Sequence, residues 1–399
     1  MTSSAIELRD VVGRFGPDYV ASRAGAILPS QERALNDIAL CRTREMGGHR
    51  YHCETCSADF WIYHGCGNRS CPACHGRRAR EWTEMRQEQL LGCGYFHVVA
   101  TVPAPLRAAF LSDQKRMYSL LIKTVAECVI ELVGDSRHVG GLPAVMAVLH
   151  TWSRDLGFHP HVHLLVSAGG LSPDGQRWVE PRNRQWLVPV RALSALIRGR
   201  FHARLKRVAP ETASPLPPEV WRKGWNVFCK PCGAQADAVI QYLGRYVFRT
   251  AITNARIEAM DATHVTFRFR SRGKGVGWSR LRLRGEEFLR RFVMHVLPRG
   301  FQKVRYYGLW HHSKSDEQQR VAHMLRLNKQ LLRVKGSQLD DKADDEAAAP
   351  TTIADLVQAE GLGLDDEHAG GHIKCPHCSS QAVRQTGRLR RRRRRNRSP

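Results

Sequence analysis

The sequence predicts an α+β protein: an antiparallel sheet covered on one face by helices, preceded by a small cysteine-rich module. Two observations predict this fold class. Strand-like segments alternate with helix-like segments, and hairpin-length connections join neighbouring strands within that alternation. In addition, residues 49–78 are rich in Cys, His and Gly, the composition of a module held together by metal.

The segments on either side of this module are predicted to be helical. Residues 1–48 are predicted to be helical, and so is the segment 79–92 that leaves the module. The segment 95–102, YFHVVATV, is predicted to be a strand that two prolines end. A long amphipathic helix at about 105–133 follows it.

The central part carries the predicted hairpin. Strands at 144–152 and 160–167 are joined by the short connection SRDLGF. The later elements are a basic helix at 190–208, a helix at 235–251, strands at 263–270 and 278–284, a helix at 285–296 and a strand at 302–307.

These elements predict three regions. Residues 1–92 form an N-terminal helical and zinc-binding domain, and residues 93–315 form the α+β core domain. Residues 316–399 hold a helical end, an acidic linker at 338–369, a CxxC pair and the arginine-rich end RLRRRRRRNRSP. We predict that this last region is largely disordered, because few apolar residues accompany its charge.

The charge balance predicts a polyanionic partner. Lys and Arg total 62 against 37 Asp and Glu, which gives a net charge of +25, and the pI is near 10.1. Basic side chains bind nucleic acid by displacing its counterions, so DNA or RNA is the expected partner. With no long apolar run and no signal-peptide pattern, we expect no membrane interaction and a cytoplasmic, nucleoid-associated protein.

Four cysteines in two CxxC pairs predict a structural zinc site. Cys53 and Cys56 form the first pair, and Cys71 and Cys74 form the second. Two such pairs at this separation can close a tetrahedral thiolate site with no open position, which is structural rather than catalytic. Cys66 is the best alternative ligand, and free thiols are the alternative to a metal site. Basic residues that flank the module are expected to contact phosphates: Arg69, Arg77 and Arg78.

Two further CxxC pairs are less informative. Cys229 and Cys232 have no evident second pair, and ordinary packing explains them well. Cys375 and Cys378 could form a site with His372 or His377. We assign neither pair a role from the sequence.

The segment GFHPHVHLLVSAGG places histidines at every second position. On a strand, His159, His161 and His163 share one face, and the apolar residues between and after them share the other. Two imidazoles at i and i+2 can bind one divalent ion, because histidine is the commonest side-chain ligand of transition metals and also suits Mn²⁺. The alternative is a solvated face that happens to carry histidines.

The segment AVIQYLGRYVFRTAI has helical periodicity and two tyrosines. Tyr242 and Tyr246 lie at i and i+4, on one face beside the buried stripe. A tyrosine hydroxyl can attack a phosphodiester and conserve its energy as a covalent phosphotyrosine. Arg245 and Arg249 would rim that site with positive charge. The alternative is an aromatic pair packed in a core.

Together these motifs resemble the HUH-type rolling-circle transposases with two active-site tyrosines and an N-terminal zinc-binding domain. The HUH motif corresponds to His161-Val162-His163, the tyrosine motif to Tyr242 and Tyr246, and the zinc module to YHCETC…CGNRSCPACHG. The resemblance covers roughly residues 10–315, with the motifs in the expected order.

The resemblance implies a ferredoxin-like nuclease domain with the HUH strand central and the tyrosine helix near it. It implies that the protein nicks single-stranded DNA at element ends, which leaves a 5′-phosphotyrosine and a free 3′-OH. It also implies that the strands are rejoined in rolling-circle transposition and that Mg²⁺ or Mn²⁺ is the cofactor. The HUH pair needs a third ligand, for which Gln241 and His159 are candidates, while His97 and His150 lie on neighbouring predicted strands.

Two other function classes remain open at this point. One is a plasmid rolling-circle replication initiator or relaxase that uses the same chemistry. The other is a non-enzymatic, zinc-containing nucleic-acid-binding protein whose histidines and tyrosines are structural. No GxxxxGK[ST] motif is visible, so strand separation is expected to come from a host helicase.

Overall fold

A computed structural model describes residues 6–74, 82, 85, 89–232, 247, 250–271, 277–336 and 373–391. In chain order, the described helices are α1 (Leu8–Ala21), α2 (Pro29–Ala39), α3 (Arg107–Ser112), α4 (Gln114–Gly134), α5 (Val190–Val208), α6 (Pro210–Ala213), α7 (Glu219–Arg222), α8 (Gly285–Val293) and α9 (Ser315–Gly336). The described strands are β1 (Gly48–Cys53), β2 (Asp59–Tyr63), β3 (Tyr95–Thr101), β4 (Ala144–Trp152), β5 (Phe158–Ser167), β6 (Gly170–Leu171), β7 (Trp178–Val179), β8 (Asn226–Pro231), β9 (Ile257–Met260), β10 (His264–Arg270), β11 (Trp278–Arg284), β12 (Val304–Gly308) and β13 (Val383–Leu389).

A five-stranded antiparallel sheet of order β12-β4-β5-β3-β8 forms the centre of the molecule. The histidine-bearing strand β5 occupies its middle position. In the register, His163 lies between Val99 on β3 and Val148 on β4. Helices and an antiparallel sheet therefore coexist as predicted, and the α+β fold class is confirmed.

The two faces of this sheet have different cores because side chains alternate along each strand. Val162, Leu164 and Val166 of β5 are buried against α4 and α5 in the main apolar core. Each fully buried aliphatic side chain contributes roughly 1.5–3 kcal/mol, so this face anchors β5 firmly. The opposite face carries the histidines and a second, smaller apolar cluster.

The N-terminal helices belong to another core. Leu8 of α1 and Leu35 of α2 pack with Phe267 of β10 and with Phe288 and Phe292 of α8. The sheet β11-β10-β9 completes this layer. The N-terminal helices α1 and α2 thus share one core with β9, β10 and α8.

Most predicted elements of the core domain that fall on described residues match observed ones, and two of the differences bear on the site. The helix predicted at 235–251 lies almost entirely outside the described residues. The long helix expected at about 105–133 is interrupted at Asp113, whose side chain accepts a hydrogen bond from the backbone N–H of Arg116 and caps α4. Strand β8 was not predicted. It pairs with β3 and includes Cys229, on an edge with too little hydrophobic alternation to be recognised.

The C-terminal region differs more from the prediction. Helix α9 matches the helical end that was expected at the start of this region, whereas strand β13 lies in a part of 316–399 that was expected to be largely disordered. Strand β13 adds to the N-terminal hairpin to form a three-stranded sheet of order β13-β1-β2. The acidic linker at 338–369 lies outside the described residues. In the described part of the chain, no helix is long and apolar enough to cross a bilayer.

Candidate functional site

Three histidines meet on the face of the central sheet that lies opposite the main apolar core. His161 and His163 share a face of β5, and the register places His150 of β4 directly opposite His161. One ring nitrogen of each histidine lies within 4.8 Å of those of the other two. We call His150, His161 and His163 the histidine cluster. It can hold one divalent ion, with imidazole nitrogens as ligands.

Hydrogen bonds orient both histidines of the HUH motif through their Nδ1 atoms. Nδ1 of His161 lies 2.6 Å from the backbone oxygen of His159, to which it donates. Nδ1 of His163 lies 2.8 Å from Nε2 of His97, on β3. Ligating histidines typically use one nitrogen in this way, which fixes the ring and keeps the lone pair on Nε2. Burial lowers the pKa of His97 to about 4, so it is neutral at physiological pH and can accept this bond.

The third member of the cluster is not one of the two residues ranked from the sequence. Arg107 donates a hydrogen bond of 2.9 Å from Nη2 to Nδ1 of His159, and His159 is not part of the cluster. Gln241 lies outside the described residues. His150 takes the third position because cross-strand register, which sequence spacing does not reveal, pairs it with His161.

The chain that carries the predicted tyrosines reaches this same face. Val247 follows Tyr246 directly, is buried, and packs with Tyr95, Val148 and Leu165. Val148 lies opposite His163 across the ladder, and Leu165 lies two residues after His163. The remaining predicted residues of this segment lie outside the described residues: Gln241, Tyr242, Arg245, Tyr246 and Arg249.

The guanidinium of Arg69 is engaged in hydrogen bonds within the protein and does not face a phosphate-binding surface. Its guanidinium donates hydrogen bonds to the backbone oxygens of Phe301, Leu297 and Pro298, at 2.7, 2.8 and 2.6 Å. Burial lowers its pKa from the usual arginine value. The DNA-binding role predicted for Arg69 is therefore corrected: it ties the cysteine-rich module to the segment before β12. Arg77 and Arg78 lie outside the described residues.

The four cysteines predicted to bind one zinc ion do not come together. Cys71 and Cys74 cluster with Cys41 and Cys66, which we call the first cysteine cluster. Cys53 and Cys56 instead cluster with Cys375 and Cys378, which we call the second cysteine cluster. The single predicted site is thus corrected to two. Sequence spacing suggested Cys66 as an alternative ligand. It did not indicate Cys41, which follows α2, or Cys375 and Cys378, because tertiary packing brings these cysteines to their clusters.

The sulfur positions in the first cysteine cluster fit a tetrahedral metal site. Cys41 Sγ lies 3.5 Å from Cys74 Sγ and 3.6 Å from Cys71 Sγ, and Cys66 Sγ lies 3.7 Å from Cys74 Sγ. Four sulfurs at about 2.3 Å from zinc in tetrahedral geometry are about 3.8 Å apart. A disulfide would need about 2.0 Å.

The remaining CxxC pair packs as ordinary apolar side chains. Cys229 adjoins the main core and Cys232 adjoins the cluster on the histidine face. Burial raises the pKa of Cys229 to about 11 and that of Cys232 to about 12, which keeps both thiols protonated. Among the described residues they join no group of metal-ligating side chains.

A cleft of about 1200 Å³ runs between the edge strand β12 and helix α9. We call it the β12–α9 cleft. Its lining is aromatic and basic, without a carboxylate: among others it includes Lys303, Tyr306, Trp310, His312 and Arg326. Tyr306 also packs in the apolar cluster on the histidine face, so the cleft opens beside that face.

The central sheet carries three histidines that could hold a metal ion, two groups of cysteines could do the same, and the cleft is basic. These features are typical of proteins that bind metal ions and nucleic acid. A family model described as "Putative transposase" matches residues 144–318, and a model described as "Transposase zinc-binding domain", of IS91 type, matches residues 11–102.

Curated relatives agree with these matches. The chain is 35% identical over 324 residues to "Putative transposase y4qJ" of Sinorhizobium fredii, covering 77% of this chain and 81% of that one. It is 25% identical over 301 residues to "Transposase for insertion sequence element IS801" of Pseudomonas savastanoi pv. phaseolicola, covering 71% of each chain. No solved structure matches significantly. The chain belongs to the Y2 transposase family, with an IS91-type zinc-binding domain, and as a transposase it acts on DNA.

Proposed function

We propose that this transposase nicks and rejoins single-stranded DNA at element ends by tyrosine attack, in rolling-circle transposition. The observation that carries the proposal is the histidine cluster, with Val247 packed on the same sheet face. This chemistry needs a metal ion and a nucleophile within reach of the same phosphate, and Val247 belongs to the segment that carries the two candidate tyrosines.

Tyr242 and Tyr246 are the proposed nucleophiles. The phenolic oxygen of one gives up its proton and attacks the phosphorus, the bond from phosphorus to the 3′-oxygen breaks, and the leaving 3′-oxygen takes up a proton. The products are a 5′-phosphotyrosine and a free 3′-OH, and attack by a 3′-OH reverses the step. With two tyrosines, two strands can be held or exchanged in turn. Arg245 and Arg249, one helical turn apart in the sequence pattern, are proposed to bind the DNA phosphates.

His161, His163 and His150 are the proposed ligands of a divalent ion, Mg²⁺ or Mn²⁺. When bound, the ion polarises the phosphoryl oxygens and stabilises the charge of the transition state. The chain's contribution is orientation: His97 and the backbone oxygen of His159 hold the two HUH imidazoles in the ligating tautomer.

The first cysteine cluster is the proposed structural zinc site of the matched zinc-binding domain. All four cysteines lie within residues 11–102, and their sulfur separations suit tetrahedral zinc. Four protein ligands leave no open position, so this ion stabilises the module and takes no part in the cleavage.

The β12–α9 cleft is the proposed path of the single strand. Aromatic side chains stack on bases, and positive charge follows the backbone, without reading sequence. Since the chain carries no recognisable P-loop, we propose that a host helicase separates the strands and that the protein works on the nucleoid in the cytoplasm.

A covalent-adduct assay tests the proposal. The protein is incubated with single-stranded DNA that carries an element end, with Mg²⁺ or Mn²⁺, and run on a denaturing gel. We expect a protein–DNA adduct that disappears in the Tyr242→Phe/Tyr246→Phe double variant and falls sharply in His161→Ala.

The outcomes separate the alternatives. An adduct that persists in the double-tyrosine variant contradicts the assignment of the nucleophiles. No adduct on any element end, with tight DNA binding retained, favours the non-enzymatic binding protein. An adduct formed only on a plasmid origin hairpin favours the replication initiator or relaxase.

A further inference from the structure

The second cysteine cluster joins parts of the chain that are far apart in sequence. Cys53 Sγ lies 3.6 Å from Cys378 Sγ, and Cys56 Sγ lies 3.6 Å from Cys375 Sγ, across separations of 325 and 319 residues. Cys375 and Cys378 lie outside both stretches matched by the family models, residues 11–102 and 144–318. The sequence left this pair without a role.

The two CxxC turns of this cluster have matching local geometry. In each, a serine with positive φ follows the second cysteine: Ser57 at 55° and Ser379 at 60°. In each, the first cysteine's backbone N–H bonds to a carbonyl five residues on, that of Ala58 at 2.9 Å and that of Ser380 at 2.8 Å. Such a tight turn places two sulfurs on one side of the backbone, so the two turns can present four thiolates to one ion.

Backbone pairing brings these two turns face to face. Strand β13 pairs with β1 from Cys53 opposite Val383 to Gly48 opposite Leu389. Two more hydrogen bonds join the turns themselves, from Glu54 N to Ala382 O at 2.9 Å and between the hydroxyls of Thr55 and Ser380 at 2.7 Å. The cluster is therefore part of a defined fold and not a chance approach of surface thiols.

The apolar core under this sheet is too small to account for it. Among the described residues, Cys53, Phe60 and Cys375 are the ones buried in it, and a few half-buried residues pack against them. Modules this small generally need a metal or disulfides in place of a hydrophobic core. Here the sulfur separations of 3.6 Å are much longer than the about 2.0 Å of a disulfide bond, and they match the about 3.8 Å expected for tetrahedral zinc.

We propose that Cys53, Cys56, Cys375 and Cys378 bind a second Zn²⁺ ion, which clamps the C-terminal segment onto the N-terminal zinc-binding domain. The ion replaces thiol protons as it binds, with no change of oxidation state. The clamp has a consequence for DNA binding. Strand β13 ends at Leu389, and six consecutive arginines, residues 390–395, follow at once, so the ion fixes where this basic end leaves the protein.

Zinc content of the purified full-length protein tests the proposal. We expect Cys375→Ser/Cys378→Ser to lose one zinc per chain relative to the wild type, by elemental analysis after dialysis. Cys53→Ser/Cys56→Ser, which removes the other half of the same site, is expected to lose one as well. The matched control is Cys229→Ser/Cys232→Ser, a CxxC pair in β8 and its following residue that should lose none.

A second measurement follows the clamp itself. Amide hydrogen exchange of residues 383–389 should be slow in the wild type and fast in Cys375→Ser/Cys378→Ser. The ligand-preserving variant Cys378→His should keep both the ion and the protection, because Cys₃His sites bind zinc.

Three results would overturn the proposal. The first is a zinc content that neither cysteine-pair variant changes. The second is an intact mass showing Cys53, Cys56, Cys375 and Cys378 joined as disulfides in protein purified without oxidant. The third is protection of residues 383–389 that survives removal of the pair. None of these readouts depends on DNA cleavage, so they are independent of the proposed tyrosine chemistry.

Discussion

Single residues decide how the histidine cluster can work. His161 and His163 could be singled out from their alternation on a strand, whereas His150 and His97 could not be ranked, because their partners are set by β-sheet register. His159 fits the same alternation yet has a different role. Its side chain accepts from Arg107, and its backbone oxygen orients His161.

The first prediction compares His150→Ala with His159→Ala. We expect His150→Ala to reduce covalent-adduct formation by at least about 100-fold, since a catalytic metal supplies several kcal/mol and each 1.36 kcal/mol is a factor of ten. His159→Ala keeps the backbone oxygen that holds His161, so we expect a loss within about tenfold.

Calorimetry should show that Mn²⁺ affinity falls in the same order in these two variants, with the larger loss in His150→Ala. Equal losses in both variants, or a larger loss in His159→Ala, would return the third ligand to His159 and remove His150 from the site.

At the scale of elements, α8 shows how charge holds one helix in the shared core. Its inner face, with Phe288 and Phe292, packs on α1 and β10. On its outer side, Glu287 accepts hydrogen bonds from Arg290, at 2.6 and 2.8 Å, and from Arg291, at 2.8 Å. These i,i+3 and i,i+4 contacts were not singled out in the sequence, although the helix itself was predicted.

The second prediction concerns acid stability through Glu287. Its hydrogen bonds from Arg290 lower the pKa to about 2, from 4.5 in the unfolded chain. A lowered carboxyl pKa stabilises the folded state above the unfolded pKa, and the stabilisation is lost as pH falls from about 4.5 to about 2. We therefore expect the difference in unfolding free energy between wild type and Glu287→Gln to shrink over this range.

Urea unfolding at a series of pH values measures this difference. Glu286→Gln is the control, because it removes the neighbouring carboxylate on α8, whose exposed ion pair with Arg23 is of a kind that contributes little to stability. Parallel pH curves for wild type and Glu287→Gln would show that the Arg290 contact does not act in the folded state.

At the scale of the whole molecule, positive charge is spread along the sequence, but only the structure indicates which basic side chains are placed to contact DNA. The net charge of +25 predicts affinity for DNA and does not say where the DNA lies. The structure assigns Arg69 to a structural junction and forms a carboxylate-free cleft between β12 and α9. No sequence pattern indicated this cleft, since its lining joins residues 89–90 to the distant stretch 302–326.

The third prediction tests this cleft with Arg326→Ala. Removing one phosphate contact should weaken binding to single-stranded DNA similarly for all sequences and reduce the slope of log affinity against log salt by about 1. Arg299→Ala is the control, because Arg299 is also exposed but lies outside the cleft lining. Fluorescence anisotropy at several salt concentrations measures both. An unchanged slope in Arg326→Ala, or an equal change in Arg299→Ala, would place the DNA elsewhere.

The sequence by itself determined the features that depend on local periodicity and composition. A hairpin-length connection between two strand-like segments predicted β4 and β5, and period-two alternation predicted the shared face of His161 and His163. The motifs in their order predicted the transposase family. Tertiary structure decided the features that depend on contacts between distant segments: His150 as the third histidine, Arg69 as a junction, and the division of the cysteines into two clusters. The physical reason is that a ligand set is chosen by which side chains packing and strand register bring within a few ångströms. Cys53 and Cys375 are 322 residues apart in sequence, yet they belong to one cluster because β13 pairs with β1.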